Sequence, residues 1–198
     1  MIRSTPSNFQ FQVLDIQQEW SFAELFDVIH GRLLMSLQVD FKKVMNQAYN
    51  NLKPGGVLEF QEYGFPPSYN EGQDPNAATR YFFDSLVKGI GLLGQNWAKP
   101  AEFDVLMKQQ GFVDVHVQRL KLPMGCTSDD LNENESSKIY VGEVLPRHRS
   151  MWKMVLSKTL GWSEEAIVKA IDAMLQEIQT GKFQMFIDYK IVYGRKPE

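Results

Sequence analysis

The chain has 198 residues, 43% of them hydrophobic and 23% charged, which is enough for a sizeable buried core and ordinary for a globular domain. A net charge of −3 without clustered Lys and Arg excludes a phosphate-tracking nucleic-acid surface, and no apolar run is long enough to cross a bilayer. The single cysteine, Cys126, excludes an internal disulfide or a cysteine metal site and, with no signal-peptide core, predicts a soluble cytoplasmic protein.

Residues 1–8 are polar and carry a proline, so they read as a flexible arm. "FQFQVLDI", Phe9–Ile16, alternates apolar and polar residues as a strand does. A second strand is predicted over Phe26–His30. Asp40 is a helix cap before Phe41, Val44, Met45, Ala48 and Leu52, whose spacings of three and four describe one helix face. "KPGG", Lys53–Gly56, stops that helix and turns the chain into a third strand, Val57–Tyr63. Two apolar strands joined by one helix predict a right-handed parallel crossover.

Asp74–Pro75 opens a helix whose face carries Ala78, Phe82, Leu86, Ile90 and Leu93. "KPAEFDVLMKQQGF" predicts a shorter helix ended by Gly111, and "FVDVHVQRLKL" alternates as the next strand. Residues 127–138, "TSDDLNENESSK" with its neighbours, read as a polar, mobile connection. Ser163 caps a helix bearing Ile167, Ile171, Leu175 and Ile178, closed by Gly181, and Phe183–Tyr193 forms the last strand. One domain over 1–198 is expected, with no repeat or low-complexity tract.

"KGIGLLG" contains a literal G-x-G-x-x-G, Gly89–Gly94, but these glycines end an amphipathic helix instead of joining a strand to a helix start, so they are read as structural. His30 and Arg32 follow one parallel strand, and Glu62 and Tyr63 end the next. Ligands of open α/β sheets bind outside the carboxyl ends of strands, so these four are the candidate catalytic residues, although an Arg32–Glu62 ion pair with a packed His30 would equally satisfy them. His116 and His148 read as structural or solvated. No two histidines have metal-ligand spacing, and no nucleophile elbow or phosphate loop is present. Trp97, with Tyr81 and Phe82, is a candidate wall for an apolar substrate pocket.

"FQVLDIQQEWSF", "FDVIHGRLLMSL" and "LKPGGVLEFQE" together resemble the fungal class I S-adenosylmethionine-dependent methyltransferases of the LaeA-like, TAM-domain or UMTA type. The resemblance runs from about Phe9 to the closing "YGRKP" and is looser beyond Cys126. It implies a Rossmann-like α/β fold, with Asp15 and Ile16 at remnant positions beside the adenine and the turn after "FDVIHGR" beside the methionine end of the cofactor. It departs from the family in lacking the N-terminal glycine-turn βαβ unit of roughly 30 residues, which supplies most of the cofactor contacts.

The sequence therefore predicts a truncated Rossmann-like α/β domain with a reduced, mainly parallel sheet and helices on both faces. Its expected function is a cofactor-independent cyclase or isomerase of fungal secondary metabolism, acting on a small apolar polyketide- or terpenoid-like substrate. The alternatives are a fragment or subunit of an adenosylmethionine-dependent methyltransferase, or a noncatalytic partner subunit. The open "FDVIHG" edge predicts either pairing with the Phe9–Leu14 strand or a homodimer through the N-terminal strand region.

Overall fold

A computed structural model describes residues 6–35, 39–69, 77–125, 130–180 and 185–198. The sheet starts with β1, Phe26–Arg32, and β2, Leu52–Tyr63, which run parallel and are joined by helix α1, Phe41–Asn51. The Asp40 carboxylate accepts from the Lys42 and Lys43 amides and so starts α1 as its sequence position demands. Lys53–Gly56 lie within β2. Phe26 pairs with Leu52 but Val28 with Val57, so this stretch bulges between the two pairs.

The other strands are β3, Ser68–Tyr69, β4, Val113–Met124, and β5, Met185–Arg195. β5 lies between β2 and β4 and is antiparallel to both; β3 also pairs antiparallel with β5. The α/β expectation holds, but the sheet is mixed where a mainly parallel one was predicted. The final strand enters it as a long antiparallel insert, a direction that alternation along one strand cannot reveal.

Helix α1 and α3, Phe103–Gln110, cover one sheet face. Val44, Met45, Ala48, Phe103 and Met107 pack there on Leu58, Phe60 and Val192. Gly111, with φ of 101°, takes the left-handed conformation that closes α3, as predicted. Lys190 on β5 clamps that helix, donating to Asp104 at 2.9 Å and to the Ala101 carbonyl at 2.8 Å.

A second core forms where α2, Ala77–Leu92, α5, Arg149–Leu160, and α6, Glu164–Gln179, gather. Phe82, Leu86, Trp152, Leu156, Ile167 and Ile171 fill it. Ser163 caps α6 by accepting from the Ala166 amide at 3.2 Å, and Glu177 of α6 receives both the Thr79 amide and hydroxyl of α2. The predicted helix start at Asp74–Pro75, the stop at Gly181, the strand start at Phe183 and Cys126 fall outside the described residues.

The glycines of "KGIGLLG" are structural. A Cβ on Gly89 would stand 2.7 Å from Thr159 Oγ1 and 2.8 Å from Val155 Cγ1, so this glycine lets α2 and α5 touch. Gly94, with φ of 72°, follows the helix end. Gly89→Ala is expected to destabilise the fold by about 1–3 kcal/mol through overpacking. Urea unfolding checks this, and an unchanged midpoint would return the glycine to the ligand-binding candidates.

Two local expectations are corrected. Phe9–Ile16 contains no strand, and Phe9–Asp15 stand exposed: alternation alone forms no strand where the backbone bonds to no neighbouring strand. Of the connection expected to be mobile over 127–138, the described part is mostly helical: α4 is Leu131–Ile139, with Asp130 accepting from the Asn132 amide as its cap. Ser137 of α4 accepts from the Gly125 amide at 2.7 Å, which ties this polar helix to the end of β4.

Candidate functional site

After β2 the chain passes through Gly64 and Phe65, beyond the carboxyl ends of the two parallel strands. A cavity of about 70 Å³ opens there. Tyr63, Phe65 and Ile187 bring the sheet to it, Phe83 comes from α2, and Trp97 closes one side. Phe65 and Trp97 meet edge to face at 5.3 Å. The opposite wall carries Tyr140, His148 and Trp152.

That wall is one irregular helical rod. After α4 comes a π-helical turn, Tyr140–Val144, then a 3₁₀ turn, Leu145–His148, then α5. π turns are rare and often lie at functional sites. Here the rod presents Tyr140 at the start of the π turn and His148 at the end of the 3₁₀ turn to one apolar cavity. His148 Nδ1 lies 3.1 Å from the Val144 carbonyl. A carbonyl only accepts, so Nδ1 carries the proton and Nε2 is the nitrogen free to exchange one. The imidazole also stacks on Trp152, with ring centres 5.9 Å apart. Burial, with Tyr63 adding to it, drives the Tyr140 phenol well above its ordinary value, so it stays a neutral hydrogen-bond donor.

The four strand-end candidates separate. Tyr63 lines the cavity. Glu62 points to the opposite face, fully buried, and accepts from the Leu34 amide at 2.7 Å and the Met35 amide at 3.3 Å. It thereby holds the turn after β1, which passes through Leu33 at φ of 55° and places Met35 in the cavity wall. Burial raises the Glu62 carboxyl above its usual range, against the lowering effect of those two bonds. Arg32 stands beside the Tyr189 hydroxyl, which donates to Gln61 Oε1 at 2.9 Å. His30 pairs with Glu59 at 2.9 Å on an exposed stretch of sheet. Of the predicted wall, Trp97 lines the cavity. Phe82 is core behind Phe83, and Tyr81 stacks on Trp162 at 5.4 Å with 60% of its surface exposed.

His148 is the cavity residue that sequence reasoning read as structural or solvated. A signal for it exists: Val141, Leu145, His148, Trp152 and Val155 recur at helical spacing, so His148 occupies a position in an apolar stripe.

A profile of the methyltransferase-domain family matches residues 2–117. The chain belongs to this family. Among the relatives of this methyltransferase-family chain is methyltransferase pytC of Aspergillus terreus, 22% identical over 97% of the chain and 60% of that protein. The secondary metabolism regulator laeA of Coprinopsis cinerea is 36% identical over 32% of the chain and 16% of its own length. The chain thus spans 60% of the length of the methyltransferase it matches end to end. Haemonchus contortus phosphoethanolamine N-methyltransferase 2, solved with S-adenosylhomocysteine, gives a TM-score of 0.46 at 18% identity over 94% of this chain and 37% of that one.

The family makes adenosylmethionine the cofactor to test against these residues, and the two remnant positions, Asp15 and Ile16, are engaged in local bonds. Asp15 spends its carboxylate in a local turn, accepting from the Gln17 amide at 2.9 Å and Gln18 Nε2 at 3.4 Å. The Ile16 carbonyl receives Trp20 Nε1 and Gln47 Nε2. The fingerprint-spaced glycines lie inside and after α2, not between a strand and a helix start. Among the described residues no His, Cys, Asp and Glu group could hold a metal ion, and no helix is long and apolar enough to cross a membrane.

Proposed function

We propose that this methyltransferase-family chain binds a small apolar metabolite in the cavity beyond β2 and moves a proton on it. The chemistry is of the isomerase or cyclase class. The observation that carries the reading is the tethered imidazole: His148 Nδ1–H is committed to the Val144 carbonyl, which leaves Nε2 as base or acid in an apolar enclosure. Tyr63 and Tyr140 supply hydroxyls that can steady a carbonyl or enol oxygen of the substrate, and Phe65, Trp97 and Trp152 give its hydrocarbon body a surface to pack on. On this reading the substrate is a small apolar polyketide- or terpenoid-like metabolite, a choice supported by the likeness to methyltransferase pytC and to the secondary metabolism regulator laeA.

A second reading, methyl transfer from adenosylmethionine, is favoured by the family match and by pytC, a methyltransferase of which this chain covers 60%. On that reading His148 takes the proton from the acceptor hydroxyl.

Calorimetric titration with S-adenosylmethionine and S-adenosylhomocysteine separates the two. No heat is expected from either compound. Saturable micromolar binding would overturn the cofactor-free reading and promote methyl transfer. In parallel, apolar fungal metabolites incubated with the protein are expected to change retention time at constant mass, whereas the gain of one methyl group would be the mark of the second reading.

A further inference from the structure

The cavity around His148 is too small for the whole of the molecule it is proposed to convert. Its volume of about 70 Å³ is under half of the roughly 150 Å³ of an apolar cavity that takes up benzene. A polyketide- or terpenoid-like body must therefore extend beyond it. A neighbouring space offers the room. Gly64 and Phe65, which line the cavity, also line a second one of about 280 Å³, whose far wall carries Pro100, Arg119 of β4 and Lys190 of β5. Phe65 is the partition between them: its ring leans on Phe83 and Trp97 of the inner cavity, with centres 6.0 and 5.3 Å away.

The outer space differs from the inner one in carrying charge. Arg119 and Lys190 are paired across β4 and β5, and residues directly opposite each other project to the same face of a sheet. Lys190 is buried and spent on α3, where its bond to Asp104 neutralises that carboxylate. Asp188, the other acid of this wall, stands opposite Lys121 in the same register. Arg119 is left over. Its guanidinium has no hydrogen-bond or ion-pair partner among the described residues. Arg119, Lys121 and Lys190 against Asp104 and Asp188 leave this stretch of wall with an excess of one positive charge.

We infer that the substrate is a carboxylic acid that spans both spaces, with its carboxylate on Arg119 in the outer one and its hydrocarbon body passing Phe65 to the imidazole of His148. The inference rests on the reading of the cavity proposed above and names the end of the substrate that the cavity itself cannot hold. A guanidinium offers a planar carboxylate two parallel N–H donors, and Lys190 keeps a third N–H beyond those given to Asp104 and the Ala101 carbonyl. Held at this end, the chain can present only one part of its length to His148 Nε2. Arg119 therefore sets specificity and takes no part in the proton transfer.

Calorimetric titration at neutral pH with decanoate and 1-decanol, which share a chain length and differ in the headgroup, tests it. Decanoate is expected to bind the wild type at least about 10-fold more tightly than 1-decanol. Arg119→Gln should erase that difference by weakening decanoate alone, and Ala98→Trp, which fills the outer space from its exposed rim, should weaken both compounds. Both positions are exposed, so circular dichroism is expected to show unchanged folding. Equal affinity of the wild type for the two compounds overturns the inference. A decanoate preference that survives Arg119→Gln, or full decanoate affinity in Ala98→Trp, also overturns it. In each of these cases bound 1-decanol leaves the apolar cavity reading standing, whereas a wild type that binds neither compound overturns both.

Discussion

His148→Asn is expected to slow turnover at least about 100-fold while leaving the thermal midpoint essentially unchanged. Asparagine keeps an N–H for the Val144 carbonyl but has no counterpart of Nε2, so the variant removes the proton-exchanging atom and spares the tether. The cavity around it keeps Trp97, Trp152 and Phe65, and substrate affinity should therefore change far less than the rate. The assay is the rate of the constant-mass conversion that identifies the substrate. Full turnover in the variant would remove His148 from the chemistry and leave Tyr63 as the remaining sequence-predicted candidate in the cavity wall.

Glu62→Ala is expected to be the most damaging single change to the cavity. It strands the Leu34 and Met35 amides in a buried place, at a cost of about 2–5 kcal/mol, and frees the turn that puts Met35 in the wall. The pH dependence has a definite sign. Burial raises the folded carboxyl above its ordinary 4.5, so the folded protein binds that proton more tightly than the unfolded chain. The contribution of this proton to stability is complete below the unfolded value and is lost as pH rises through the folded one. On acidification through that window, the stability of the wild type relative to Glu62→Gln should therefore increase, as followed by urea unfolding at several pH values. A constant difference would mean that the carboxylate is not held above its usual range.

The parts of this fold that were legible in the sequence are those fixed by local chemistry. Asp40 and Ser163 announce their helices because a side chain caps the amides next to it, and Gly111 ends α3 because the left-handed conformation suits glycine. The β1–α1–β2 unit was legible because its apolar residues change period from two to three or four at the boundaries. Tyr63 and Trp97 were found in the wall by position at strand end and loop. His148 was not, because its surroundings come from residues far along the chain: Tyr63 and Ile187 meet it only when the α4–α5 rod folds over the sheet. Glu62 was placed at the right strand end with the wrong orientation. Along β2 it shares a face with Phe60, on the side packed by α1 and α3, and its neighbour Tyr63 faces the cavity.

The π turn of Tyr140–Val144 and the 3₁₀ turn after it together set the angular phase of α5. An α-helix advances about 100° per residue, so the wider π turn lags regular winding and the 3₁₀ turn of Leu145–His148, at three residues per turn, runs ahead of it. The loose turn and the tight turn offset each other, so Val141, Leu145, His148 and Trp152 keep one stripe, with His148 and Trp152 lining the cavity and Arg147 and Arg149 outside its lining. Loss of a single residue from the π turn would leave the tight turn without its loose counterpart and turn the imidazole aside without altering any residue that touches it. The identity of the cavity wall is thus stored partly as a length, in the number of residues between α4 and α5, and a lineage can change what lines the cavity by one codon of insertion or deletion.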